Sequence, residues 1–329
     1  MQEYLRREDA ASAEPGPPAG ALPPDRGARA RAMVRALRTP QWAKNVLVLV
    51  PLTMAHELAD VRKLAAAGWC FVAFSLCASG VYVLNDLIDV EADRQHPRKR
   101  ERPFASGVLG VRTGATLIAV CLAGALGVGL LRLPRGAAAL LALYAVTTTA
   151  YSLVLKRKVM LDVLTLAALY TLRILAGGVA VEVRVSEWLL VFSMFFFLSL
   201  AFAKRFTELS GRPVGAGGRI RGRGYFAGDL DLVRTIGPVC GVLAVLVLAL
   251  YVNLSSEVGR HYPTPAALYL VCPVVLYWIT RMWFLAQRRE LEDDPVVFAL
   301  RDRISLLAGL ITLLLFVVAS WDTARLGLW

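Results

Sequence analysis

Three aspartates, Asp86, Asp89 and Asp93, stand three and four residues apart in the stretch 82–103, YVLNDLIDVEADRQHPRKRERP. At 100° per residue they fall within about 60° of arc on a helix, so three carboxylates share one face. Carboxylates that close repel and raise one another's pKa unless cations join them. Magnesium meets that need, because it takes one or two carboxylates and fills its other positions with phosphate oxygens and water. The sequel supplies Arg94, Arg98, Lys99, Arg100 and Arg102, a cationic run suited to the rest of a polyphosphate's charge. Pro97 and Pro103 stop the helix and stiffen the loop. Asp86, Asp89 and Asp93 are therefore the expected metal-binding and catalytic residues, with Asn85, Arg94, Arg98, Lys99 and Arg102 around the substrate's diphosphate. A solvated acidic helix end beside a basic loop is the plainer alternative, and it leaves the density of the cationic run unexplained.

Other chemistry finds little support. The five cysteines, Cys70, Cys77, Cys121, Cys240 and Cys272, all lie in apolar runs with no CxxC spacing, which argues against disulfides or zinc. His56, His96 and His261 are scattered, so neither a histidine metal site nor a Ser-His-Asp triad is expected. The chemistry must rest on carboxylates and cations.

The elements that position these groups are greasy. Of 329 residues, 57% are hydrophobic and 19% charged, with a net charge of +12; soluble domains carry roughly a quarter charged residues, and disordered chains lack such apolar content. Nine apolar segments follow one another, at about 46–60, 64–85, 112–132, 137–155, 160–181, 187–208, 234–255, 266–287 and 303–321. Most reach the roughly 20 residues that cross the hydrocarbon as a helix, and lipid cannot satisfy free backbone groups in another form. The prediction is an all-α integral membrane protein of nine transmembrane helices. Residues 1–38 hold Pro15, Pro17, Pro18, Pro23 and Pro24 and no apolar run, so they read as a disordered basic cytoplasmic arm ahead of a membrane domain at 39–329. Counted by connection, 29 Lys and Arg fall on the side of the N-terminus and 7 on the other, with Arg173 inside a helix. Positive charge stays inside, which places the N-terminus in the cytoplasm and the C-terminus outside. It also explains the net charge without a nucleic-acid partner.

Asn85-Asp86-x-x-Asp89-x-x-x-Asp93-Arg94 at the end of the second of nine helices resembles the first Asp-rich motif of the UbiA superfamily of intramembrane prenyltransferases. The resemblance covers residues 38–321 in the number and order of spans. It implies a helical barrel open to the bilayer that holds a magnesium diphosphate above a channel for a polyprenyl chain. Where such enzymes carry a second Asp-rich motif, this chain reads Ala203-Lys204-Arg205-Phe206-Thr207-Glu208-Leu209. In that respect it is similar to a narrower branch, the decaprenyl-phosphate phosphoribosyltransferases. Gln41-Trp42-Ala43-Lys44-Asn45, Tyr151 to Lys156, Asp162 with Arg173, and Asp294-Pro295 with Arg301-Asp302-Arg303 also look like that branch.

The resemblance implies Mg²⁺-dependent transfer of 5-phosphoribosyl from phosphoribosyl diphosphate to a polyprenyl phosphate, at the inner membrane of a bacterium, for cell-envelope synthesis. Lys44, Asn45, Tyr151, Lys156, Lys204, Arg205 and Glu208 join the expected substrate-binding residues. So do Asp162 and Arg173, which stand 11 residues apart, on one face of a helix. An ionisable residue as deep as Arg173 is functional by default; the alternative is that it ties helices together. Two other readings stay open: prenyl transfer from a polyprenyl diphosphate to an aromatic acceptor, and a transporter or lipid-binding protein without catalysis. The stretch 211–225, with six glycines and four arginines, is either a flap over phosphate or a flexible connection.

Overall fold

The computed structural model describes residues 26–95, 99–211, 218, 224–255, 258–259, 262–291 and 294–320. In chain order these form α1 (Arg26–Ala36), a 3-10 segment (Thr39–Leu49), α2 (Val50–Met54), α3 (Val61–Ile88), α4 (Val90–Arg94), α5 (Val111–Arg132) and α6 (Arg135–Leu153). They continue with α7 (Leu161–Ala180), α8 (Glu187–Ser210), α9 (Asp229–Leu254), α10 (Ala266–Gln287), α11 (Pro295–Ala299) and α12 (Arg303–Ser320). Among the described residues eight helices, α3, α5 to α10 and α12, are long and apolar enough to cross a membrane.

The predicted ninth, at 46–60, is not one continuous α-helix. The chain runs instead as a 3-10 helix with Pro40 at its start, which passes into the short α2 with Pro51 at its start. The segment lies antiparallel to α3. Trp42 Nε1 donates to Ser79 Oγ (2.9 Å), Asn45 Nδ2 donates to Ser75 Oγ (3.0 Å), and Glu57 pairs with Lys63 at the other end. At about 2 Å of rise per 3-10 residue and 1.5 Å per α residue, the two pieces extend about 30 Å, the thickness of the hydrocarbon. The tight winding accompanies a close backbone approach: a Cβ on Gly177 would strike the Val48 carbonyl.

Residues 26–36, expected as part of a disordered arm, form a helix. Ala32 and Ala36, one turn apart on α1, pack with Val83, Phe104 and Leu109. Residues 1–25 lie outside the described residues.

Two packed groups share α7. On one side α3, α5, α6 and α7 bury Phe74, Cys77, Ala125, Leu141 and Tyr144. On the other, α8, α9 and α10 bury Phe202, Phe206, Val233, Met282 and Trp283 with Val163 of α7. Outward residues such as Val120, Leu131, Val146 and Leu254 stay exposed, an apolar surface suited to lipid. Because successive long helices alternate in direction, one end of the bundle collects the C-termini of α3, α6, α8 and α10 with the N-termini of α5, α7, α9 and α12. The functional residues gather there.

Candidate active site

Asp86 sits in the last turn of α3, which is interrupted at Asp89 (φ −91°, ψ 8°) before α4 begins. The Asp89 amide still donates to the Asn85 carbonyl (2.9 Å) and the Asp93 amide to that of Asp89 (2.8 Å), so helical register survives the break. Asp86 and Asp93, seven residues apart, therefore stay on one side, and both are buried. Arg102 Nη1 reaches both, at 3.2 Å from Asp86 Oδ1 and 2.6 Å from Asp93 Oδ2. Arg38 Nη2 lies 2.5 Å from the same Asp86 oxygen. Asp89 is more exposed and turns to Lys156 Nζ (3.0 Å), which also donates to Asn85 Oδ1 (3.1 Å). The face of three predicted carboxylates is thus a pair and a neighbour.

Two carboxylate oxygens from positions two turns apart, converging on one positively charged nitrogen, make a donor set that fits a hard divalent cation. Among the described residues no three Asp, Glu, His or Cys side chains gather closely enough to hold a metal by themselves. Mg²⁺ accepts such a site, since water and phosphate ordinarily complete its shell.

The cationic run is partly committed to its own loop. Arg94 pairs with Glu91 (2.8 Å) and donates to the Ala105 carbonyl (3.3 Å). Lys99 lies in a single 3-10 turn, Lys99–Glu101. Arg98 falls outside the described residues.

A second centre forms around Asp294, the N-cap of α11. The cap followed by Pro295 is a strong helix start, and Asp294 Oδ1 accepts from the Val296 amide (3.2 Å). Lys44 Nζ and Lys204 Nζ each stand 2.8 Å from Oδ2, and the Tyr170 hydroxyl donates to Oδ1 (2.9 Å). Burial alone would raise this carboxyl, but Lys204 and Lys44 outweigh it and hold it well below the usual carboxylate range. A folded pKa below the unfolded one stabilises the protein above the ordinary carboxylate pKa, and that stability is lost as pH falls through the folded value. Lys204→Met returns the carboxyl toward its usual range, so the loss begins at higher pH. The acid-unfolding midpoint by circular dichroism is expected to rise by about one pH unit.

Asp162 and Arg173 do not meet, although they share α7. Arg173 donates to Asn45 Oδ1 (2.8 Å), the Leu169 carbonyl (2.6 Å) and the Tyr144 hydroxyl (2.8 Å), with its guanidinium 4.7 Å from the Tyr144 ring centre and 5.4 Å from that of Tyr170. It joins the 3-10 segment, α6 and α7. Asp162 instead lies 2.6 Å from Arg205 Nε and accepts from the Tyr225 hydroxyl (2.8 Å). Arg205 is also 2.5 Å from Glu208 Oε2 and 3.3 Å from the Tyr151 hydroxyl. Lys204 and Glu208, four residues apart and so on one face of α8, take different partners, Asp294 and Arg205. Burial first, and then the Asp162 carboxylate, pushes the Tyr225 phenol above its ordinary value. Tyr225 anchors the end of the glycine-rich stretch, of which 212–217 and 219–223 lie outside the described residues.

Arg38, Tyr144, Tyr170, Tyr225 and Asp294 were not among the predicted site residues. Only Asp294 carried a local signal, the Asp-Pro helix start.

The sequence pattern described as the UbiA prenyltransferase family matches residues 46–307. This chain belongs to that family. It is 39% identical over 298 residues to protein y4nM of Sinorhizobium fredii, covering 91% of this chain and 58% of that protein, so it spans little more than half of that relative's length. Nodulation protein NoeC of Azorhizobium caulinodans is 37% identical over 275 residues, 82% of this chain and 87% of NoeC. Decaprenyl-phosphate phosphoribosyltransferase of Mycolicibacterium smegmatis is 32% identical over 283 residues, covering 83% and 87%. In three dimensions the UbiA fold is plain: a UbiA homologue from Archaeoglobus fulgidus bound to GPP and Mg²⁺ superposes with a TM-score of 0.65 at 14% identity, covering 88% of this chain and 98% of that one. Family membership makes the eight long apolar helices those of a multi-pass membrane protein.

Proposed function

We propose that this UbiA family member transfers the 5-phosphoribosyl group of phosphoribosyl diphosphate to a polyprenyl phosphate, at the cytoplasmic face of a bacterial inner membrane and in service of envelope glycolipid synthesis. The observation that carries this reading is the convergence of Lys44 and Lys204 on the single carboxylate of Asp294. Lys204 stands where a prenyl diphosphate enzyme of the family is expected to present acid. Two ammonium groups on one carboxylate leave one positive charge over, which suits a further phosphate beyond the diphosphate. A donor with a 5-phosphate and an acceptor that is itself a phosphate both supply one.

Asp86 and Asp93, with Asp89 beside them, would hold Mg²⁺, which when bound neutralises charge on the departing diphosphate. Arg38, Arg102 and Lys156, which now satisfy those carboxylates, are placed to turn to phosphate oxygens as the leaving group gains charge. The acceptor phosphate is already ionised at neutral pH, so the protein needs no general base. Its task is to hold that oxygen in line with C1 of the ribose. The excess of Lys and Arg on the connections at the aspartate end supports a cytoplasmic placement with the N-terminus inside and the C-terminus outside.

Donor choice provides the test. Isothermal titration of the detergent-solubilised protein in Mg²⁺ is expected to show phosphoribosyl diphosphate binding at least tenfold tighter than geranylgeranyl diphosphate, with that margin collapsing in Lys44→Met and Lys204→Met. Tighter binding of the prenyl diphosphate, with turnover in the presence of an aromatic acid, would replace this reading with prenyl transfer.

A further inference from the structure

A chamber of about 570 Å³ lies in the half of the bundle away from the aspartates. Met54, Leu189, Phe192, Val247, Val275 and Phe316 line it, and Glu57, Lys63, Glu182 and Arg184 stand at its rim. Phe192 is in the second turn of α8 and Thr312, also lining, is eight residues from the end of α12. At 1.5 Å per residue the chamber therefore reaches about 10 Å inward from the bundle's end. One leaflet's hydrocarbon is about 15 Å deep.

An aromatic layer separates this chamber from the charged end. Tyr170 stacks on Phe197 (ring centres 4.9 Å apart) and Phe196 on Trp278 (5.5 Å). The same cluster includes Val50, Val185 and Leu189, which line the chamber, while the Tyr170 hydroxyl faces Asp294 on the other side. A tail entering from the aspartate end would have to cross that layer. An occupant entering from the far leaflet would not. Trp188 and Tyr251 border the mouth, 6.5 Å apart between ring centres, and such residues mark the headgroup level of a membrane.

The rim also carries a charge pattern. Lys63 pairs with Glu57. Glu182 and Arg184 are exposed, and among the described residues no ion pair engages either. They are two residues apart in the turn before α8, one anionic and one cationic. We propose that the chamber is a second lipid site, holding one acyl chain of an aminophospholipid whose phosphodiester meets Arg184 and whose ammonium meets Glu182. A zwitterionic headgroup complements both charges, whereas an anionic one would face Glu182 unpaired. The site is separate from the candidate active site and does not depend on the reaction assigned there.

Native mass spectrometry of the delipidated full chain, titrated with phosphatidylethanolamine or phosphatidylglycerol in detergent, tests the assignment. One phosphatidylethanolamine per chain is expected, bound at least fivefold tighter than phosphatidylglycerol. Leu189→Trp, which fills the chamber, should weaken binding at least tenfold, and the exposed Arg184→Ala at least fivefold. Equal binding of the two lipids, or retention unchanged in both variants, would overturn the proposal. So would competitive displacement of the phospholipid by decaprenyl phosphate, which would assign the chamber to the acceptor's tail.

Discussion

Asp86→Asn is expected to lower phosphoribosyl transfer by about 10³-fold, the scale on which loss of a preorganised charge-stabilising group acts, while thermal unfolding in detergent shifts little. Asp93→Asn should match it, because the two carboxylates converge on the same Arg102 nitrogen and are both buried. Asp89→Asn should cost far less, about tenfold, since that side chain turns aside to Lys156 and Asn85. The sequence spacing treats the three aspartates alike; the break at Asp89 ranks them. Initial rates at saturating Mg²⁺ read the ranking, and an Asp89→Asn loss equal to that of Asp86→Asn would refute the paired site.

The largest effect on stability belongs to Arg205. Its side chain and that of Asp162 are both fully buried and 2.6 Å apart. A buried pair adds little over an apolar substitute, but removing one partner strands the other, at a cost of about 3–5 kcal/mol. Arg205→Met leaves Asp162, among the described residues, with the Tyr225 hydroxyl and its neighbouring amide, and also removes the Arg205 contacts to Glu208 and Tyr151. Chemical denaturation in micelles should show a loss of that size. Adding Asp162→Asn to Arg205→Met should recover a good part of it, because the stranded charge is gone. Additive losses in the double variant would show that the two groups do not act as a pair.

Much of this architecture was legible in the residues because it is local. The long apolar runs give the spans, and the Asn85 to Arg102 stretch holds carboxylates and cations close enough in sequence to read as phosphate and metal chemistry. What escaped is what the chain brings together from afar. Asp294 meets Lys44 across 250 positions and Lys204 across 90, so the Asp294-Pro295 pair was visible as a helix start but its two cationic partners were not. Arg38 reaches Asp86, 48 positions away, from a left-handed turn of its own backbone (φ 50°) between α1 and the 3-10 segment. Arg173 and Asp162, about 16 Å apart along α7 by helical arithmetic, show what that arithmetic leaves open. Eleven residues put them on one face, yet other helices supply each with nearer partners. The first span departs from the expected α-helix in its winding alone, which answers to Pro40, Pro51 and the contact with Gly177 more than to its apolar content.

The central claim is met most directly by incubating the purified protein with Mg²⁺, phosphoribosyl diphosphate labelled in the ribose, and decaprenyl phosphate. Label is expected to enter the lipid fraction in an acid-labile glycosyl phosphate, with release of diphosphate and none in the Asp86→Asn protein. An unlabelled lipid fraction under conditions in which the same protein consumes a polyprenyl diphosphate would contradict it.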